Sequence, residues 1–239
     1  MIDIEKYSLV KLPEVSKILS SAGFIRKYGQ GANHSQKAIF IYAPEVYDPT
    51  KIEFMIQNND VFLKGFAIFP DIKRVNIFYL TCILNAYVSW SFITEGNMEK
   101  KATITIKKLS NIVVRVLPDY LQNAVAYLYY LMLDLKIKKE ERSDNPYLDY
   151  WMSVYREIQN AIALGLVMPQ MYREYEIDML GSWYDLIGRC TIEHPDISFD
   201  QLKEELEKEL LTPQNEVVGN MNKLRVVMRT IIEQVTDKV

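Results

Sequence analysis

The spacing of apolar positions changes near Pro118. Upstream, short β-branched runs stop at prolines: Ile39-Phe40-Ile41-Tyr42 at Pro44, Ala67-Ile68-Phe69 at Pro70, and Ile112 to Leu117 at Pro118. Ala102-Thr103-Ile104-Thr105-Ile106 alternates. These runs predict strands. Pro13 to Ser20, with Val15, Ile18 and Leu19 on one side, predicts a helix, as does Asp48-Pro49 followed by Ile52, Met55 and Ile56. A longer helix is predicted over Asn76 to Ser89, with Phe78, Cys82, Leu84 and Ala86 available to pack. Strands and helices do not alternate regularly, which argues against a parallel nucleotide-binding sheet.

Downstream of Pro118 no strand is predicted. Asp119 to Arg142 is the clearest helix: Leu121, Val125, Leu128, Met132 and Leu135 step by 4, 3, 4 and 3 residues, a heptad seam suited to lying along another helix. Lys136, Lys138 and Lys139 suit the negative end of its dipole. Ser143-Asp144-Asn145-Pro146 then reads as a stop and a fresh start, with Asp144 as cap and Pro146 in the first turn. Four further helices are predicted. Tyr147 to Leu164 packs Trp151, Val154, Ile158 and Ile162, and ends at Gly165; Pro169 to Arg189 carries Tyr172, Tyr175, Met179, Trp183 and Leu186. Phe199 to Leu211 opens with a Ser198/Gln201 capping box and an i,i+4 pair of Glu204 with Lys208. A last helix restarts at Thr212-Pro213 and runs to about Val235.

The expected architecture is therefore an α+β N-terminal domain over 1–118, with a small mixed or antiparallel sheet and helices. A long heptad-type helix over 119–143 connects it to an acidic all-α C-terminal domain over 144–239. Charge divides the same way. Residues 1–143 hold 19 Lys/Arg against 14 Asp/Glu, and residues 144–239 hold 9 against 17, within a chain of net charge −3. Such asymmetry suggests two domains with different partners, the positive one facing a polyanion.

Chemistry is scarce. Cys82 and Cys190 lie far apart, and with only His34 and His194 they build no zinc site, so no metal and no cofactor are expected. Gly29-Gln30-Gly31 lacks any phosphate-loop frame and reads as a flexible turn. Glu204, Glu205, Glu207 and Glu209 point around a helix and read as a solvated face. No nucleophile–base constellation is recognisable, so no enzyme and no small-molecule substrate are expected. The start of the chain has acids within five residues and no apolar run, and Val113 to Leu135 is interrupted by polar residues, so a cytoplasmic protein without membrane contact is expected.

Polar, basic loops remain. The segment Arg26 to Lys37 contains Arg26, Lys27, Gln30, Asn33, His34, Gln36 and Lys37; Lys73-Arg74 and the turn holding Asn97, Lys100 and Lys101 are two more. Arg and Lys on guanine, and Asn and Gln on adenine, read base edges bidentately, and the same cations neutralise phosphates. These residues are the candidates for contact with duplex DNA. The alternative from the same composition is a two-domain protein–protein interaction or structural protein that touches no nucleic acid.

From Asn76 to Leu135 the order of features is more specific. Phe78-Tyr79-Leu80 precedes Ile83-Leu84-Asn85, then Phe92 to Asn97 with its glycine, Ala102-Thr103-Ile104, Leu109-Ser110-Asn111-Ile112, Val116-Leu117-Pro118, Gln122 and an amphipathic helix. Upstream stands Leu12-Pro13-Glu14-Val15, followed by Gly23. Over about residues 8–143 this resembles the target-recognition domain of type I restriction–modification specificity subunits. The family's Pro-Leu-Pro-Pro before the helix is Arg115-Val116-Leu117-Pro118 here, and Leu121 replaces its acidic residue. A complete subunit carries two recognition domains and two long helices, and this chain has room for one of each. The resemblance implies a non-catalytic subunit or half-subunit that selects a DNA sequence. It also implies that helix 119–142, through its seam, docks a methyltransferase subunit or a second copy as a homodimer.

Overall fold

The structure, a computed structural model, describes residues 1–20, 23, 37–42, 54–57, 65–94, 105–141, 144–192 and 196–236. Its packing divides the chain into two compact units, Tyr7–Tyr129 and Met1–Lys6 together with Tyr130–Val239.

The first unit contains two antiparallel sheets. In one, β1 (Leu9–Lys11) pairs with β6 (Val113–Arg115), Val10 opposite Val114. The other has the order β2 (Ser16–Ser20), β5 (Gly65–Pro70), β3 (Ala38–Tyr42), β4 (Phe54–Gln57). Its register sets Ile18 against Ile68 and Ile39 against Ile68. The central strands are buried on both faces: Ile39, Ile41 and Ile68 on one, Ala38, Phe40, Ala67 and Phe69 on the other. Burial of both faces explains why these strands read as continuous apolar runs rather than as alternation. Helix α1 (Ile77–Thr94) packs on β3 and β4. The short α2 (Ile106–Ser110) is capped by the Thr105 hydroxyl, which accepts from the Lys108 amide at 3.1 Å.

Helix α3 (Asp119–Glu141) gives its residues up to Tyr129 to the first unit and the rest to the second. In the first unit it meets α1: the Cys82 thiol donates to Val125 O at 3.6 Å, and the Phe78 and Tyr129 rings lie 5.2 Å apart. The second unit adds α4 (Pro146–Val167), α5 (Pro169–Glu174), α6 (Met179–Ile192), α7 (Phe199–Leu210) and α8 (Glu216–Thr236). Helix α6 packs against α4, α7 and α8, and its Trp183 is fully buried with Trp151 and Tyr155 of α4. The described residues thus form small antiparallel sheets from N-terminal strands, followed by a mostly helical remainder.

Several local expectations are corrected. Ser16–Ser20 is a strand, not a helix, because its backbone pairs with β5 along its whole length. Phe54–Gln57 is likewise a strand, paired with β3, where a helix from Asp48 was expected. Thr105 and Ile106 begin α2 rather than end a strand. The packing division falls inside α3, whose first half lies in one unit and second half in the other. Charge differs between these units as well: Tyr7–Tyr129 holds 14 Lys/Arg against 9 Asp/Glu, and the other unit 14 against 22. Asn145, not Asp144, caps α4, accepting from the Tyr147 amide at 3.1 Å. The expected helix from Pro169 to Arg189 breaks at Tyr175–Asp178, where Glu176 is left-handed (φ 51°) and Asp178 accepts from the Gly181 amide to open α6. Lys208 pairs with Glu205 at 3.5 Å rather than with Glu204.

Gly165 does not end α4, which runs on to Val167. Its role is steric. A Cβ there would lie 2.7 Å from Tyr172 Cε1, and the ring is held in place because its hydroxyl donates to the carbonyl of Ala161. Gly165→Ala is expected to lower unfolding free energy by about 1–3 kcal/mol through overpacking, read as a shift in denaturant midpoint. An unchanged midpoint would show that the ring can retreat.

Candidate functional site

One end of the sheet-containing unit is basic. Three segments meet there. The turn Leu12–Glu14 follows Lys11, and the Leu12 amide donates to Ile112 O at 2.8 Å. The turn after β5 is joined to it, since the Asp71 amide donates to Val15 O at 2.8 Å and Arg74 Nη1 donates to Glu14 O at 2.7 Å. Helix α2 packs on the Leu12–Glu14 turn. These segments carry Lys11, Lys73, Arg74, Lys107 and Lys108, all exposed, against two exposed acids, Glu14 and Asp71. Both acids also serve the backbone: Glu14 accepts from the Lys11 amide at 2.8 Å and Asp71 from the Lys73 amide at 3.2 Å. The isoleucines Ile72 and Ile106 are exposed among the cations.

Gln122 holds this end from beneath. It is 1% exposed, and its Nε2 donates to Arg74 O at 3.0 Å and to Leu117 O at 2.6 Å, while its Oε1 accepts from the Asn76 amide at 2.6 Å. Asn76 in turn opens α1, its Oδ1 accepting from the Phe78 and Tyr79 amides. One side chain therefore ties the Lys73-Arg74 turn, the start of α1 and the entry to α3. The Tyr79 hydroxyl adds a bond to Arg115 O at 2.7 Å, and Arg115 Nη1 donates to Tyr7 O at 2.8 Å. Burial pushes the Tyr79 phenol and the Cys82 thiol well above their ordinary pKa ranges, so at neutral pH Cys82 is a protonated packing group rather than a nucleophile.

Of the residues singled out for DNA contact, Lys73 and Arg74 stand at this basic end. Lys37 is exposed, its ammonium 5.9 Å from the centroid of the Phe78 ring. Arg26, Lys27, Gln30, Asn33, His34, Gln36, Asn97, Lys100 and Lys101 lie outside the described residues. Lys11, Lys107 and Lys108 are not among the residues expected from the sequence; their segments are joined to the Lys73-Arg74 turn only through the fold, at Leu12–Val15. Of the helix seam, Leu121, Val125, Leu128 and Leu135 are buried and Met132 is half-buried within the chain. The exposed large apolar residues of the second half of α3 are instead Tyr130, Leu133 and Ile137.

The helical unit contains a polar cluster that no sequence pattern indicated. Lys203 and Glu207 are 6% and 5% exposed, although Glu207 belongs to the acidic run expected to face solvent. Lys203 Nζ lies 2.7 Å from Asp134 Oδ2 and 3.9 Å from Glu207 Oε1. Glu207 accepts from the hydroxyls of Tyr147 and Tyr155. Burial and the Glu207 hydrogen bond push the Tyr147 phenol up to about 12. Burial disfavours ionised Asp134, but hydrogen bonds from Lys203 and Lys138 outweigh it and hold the carboxyl below its ordinary range. The cluster borders a cleft of about 560 Å³. Its charges are mutually paired, which suits a fastener between α3, α4 and α7.

Among the described residues, no group of three or more His, Cys, Asp or Glu side chains could hold a metal ion, and no helix is long and apolar enough to cross a membrane. Comparison of the chain with models of known families, with curated proteins and with solved structures finds no match in any of the three.

Proposed function

We propose that the chain is a non-catalytic DNA sequence-recognition subunit or half-subunit of the type I restriction–modification kind. In this reading the sheet-containing unit contacts duplex DNA, and α3 docks a methyltransferase subunit. The observation that carries the reading is the basic end, where five exposed cations sit on three segments fastened to one another and to Gln122. A fixed cationic edge meets the first requirement for phosphate contact, which positions a protein so that neighbouring loops can read bases. The opposite charge of the helical unit keeps that unit off phosphate. Because Leu121, Val125, Leu128 and Leu135 are buried within the chain, the docking face in this reading is the one bearing Leu133 and Ile137.

Reversing Lys73 and Arg74 together to Glu tests the basic end. Both are exposed, and the Asp71–Val15 backbone bond still joins the turn when the Arg74 bond to Glu14 O is lost, so folding should persist. Affinity for duplex DNA at low salt should fall at least tenfold. The salt dependence should flatten by about one to two in slope, at about 0.9 for each phosphate no longer neutralised. Unchanged affinity would remove the basic end from the interface. The rival reading, a protein-binding module that touches no nucleic acid, is favoured by the exposed apolar face of α3. It takes over if no DNA binding is seen even with a methyltransferase partner present.

A further inference from the structure

Among the described residues the most exposed large apolar side chain is Ile72, at 75%, and it stands at the basic end. The fold buries little of it, yet its backbone is fixed. The Asp71 carbonyl accepts from the Arg74 and Val75 amides, each at 2.9 Å, which closes the turn around Ile72. The Asp71 carboxylate accepts from the Lys73 amide at 3.2 Å. Buried Val75 anchors the far side of the turn. The Asp71 bond to Val15 O holds one end, and the Gln122 bond to Arg74 O holds the other. Isoleucine is branched at Cβ, so its χ1 is restricted. A stiff apolar side chain is thus presented to solvent on a fixed turn, with Lys73 and Arg74 directly after it. The same order, Ile106-Lys107-Lys108, opens α2, where Ile106 is also exposed.

We propose, resting on the DNA reading above, that Ile72 is a specificity-determining residue that packs on the 5-methyl group of a thymine in the major groove. Base-pair edges there offer hydrogen-bond donors and acceptors and one apolar group, the thymine methyl. An apolar side chain flanked by cations matches that combination. Lys73 and Arg74 neutralise phosphates beside the groove and position the turn, and Ile72 adds a contact that depends on sequence. An anionic lipid surface also attracts cations beside an apolar tip. Insertion into a membrane interface, however, uses a broad apolar face, whereas here two single isoleucines stand among five cations.

Replacing thymine by uracil removes only that methyl group and tests the contact. The probe is a duplex bearing the motif that the full-length protein selects from a random-sequence pool, made with uracil in place of thymine at each A·T pair in turn. At one position the change should weaken binding about fourfold, the effect of one buried methyl group. Ile72→Ser alters an exposed side chain, so the turn persists, and this variant should bind the thymine and uracil duplexes equally. Leu211→Ser, at an exposed position in the helical unit, should keep the wild-type preference. A uracil penalty that persists in Ile72→Ser, or no position at which uracil weakens binding, would overturn the role of Ile72 while leaving DNA recognition intact. Failure to select any motif would remove the DNA reading and this role with it. Sedimentation with phosphatidylserine vesicles, lost in Ile72→Ser, would then assign the turn to a lipid surface instead.

Discussion

Gln122→Leu should destabilise the protein by about 2–5 kcal/mol, through three polar groups left without their partner at about 1–3 kcal/mol for each group fully deprived. Leu matches the volume of Gln but neither donates nor accepts. The Asn76 amide loses its acceptor, and the Arg74 and Leu117 carbonyls lose their shared donor. The loss falls short of the full sum because Arg74 is exposed and its carbonyl can recruit water. Gln122→Glu should be intermediate, since a carboxylate still accepts from the Asn76 amide but no longer donates. Urea unfolding of the three proteins reads the order directly. A Leu variant as stable as wild type would show that Gln122 is a passenger. The same variant should also weaken DNA binding, because the Arg74 backbone is released from beneath the basic end.

The second large effect is expected at Lys203. Lys203→Met keeps the apolar stem and removes the ammonium between Asp134 and Glu207. Breaking a buried ion pair from one side costs about 3–5 kcal/mol. Here the cost should be nearer about 2 kcal/mol, because Lys138 remains 3.0 Å from Asp134 and two tyrosine hydroxyls still serve Glu207. The pH dependence follows from Asp134, whose folded pKa is depressed. Its stabilisation is fully present above the unfolded carboxylate value of about 3.9 and is lost as pH falls through the lower folded value. The stability gap between wild type and Lys203→Met should therefore narrow in acid. A gap that widens as pH falls would mean that Lys203 is not held by carboxylates.

Elements set by local chemistry could be read in the sequence. The Ser198/Gln201 capping box forms with both of its bonds, the Gln201 amide to Ser198 Oγ at 3.3 Å and the Ser198 amide to Gln201 Oε1 at 3.0 Å. The strands around Ile39 and Ile68 and the helix from Asp119 also stand where their apolar pattern placed them. What the sequence hid depends on partners distant along the chain. Ser16–Ser20 has apolar spacing compatible with a helix, and only pairing with Gly65–Pro70 makes it a strand. Gly165 carries the usual signal of a helix end, yet its small size is required by Tyr172, which folds back over it. Lys203 and Glu207 cannot be told from the solvated residues beside them until Asp134, Tyr147 and Tyr155 are brought to that side of α7. At the basic end the sequence marked Lys73 and Arg74, but not Lys11, Lys107 and Lys108, because the clustering is made by the Leu12–Ile112 and Val15–Asp71 backbone bonds.

Whether this chain reads DNA sequence is tested most directly by repeated selection of a random-sequence duplex pool. The full-length protein is used at low salt, with a methyltransferase subunit supplied in a parallel arm. Enrichment of one defined motif is expected, abolished by reversing Lys73 and Arg74 to Glu. A pool that stays random after several rounds in both arms, or that is retained equally by the charge-reversed protein, would contradict sequence recognition by this chain.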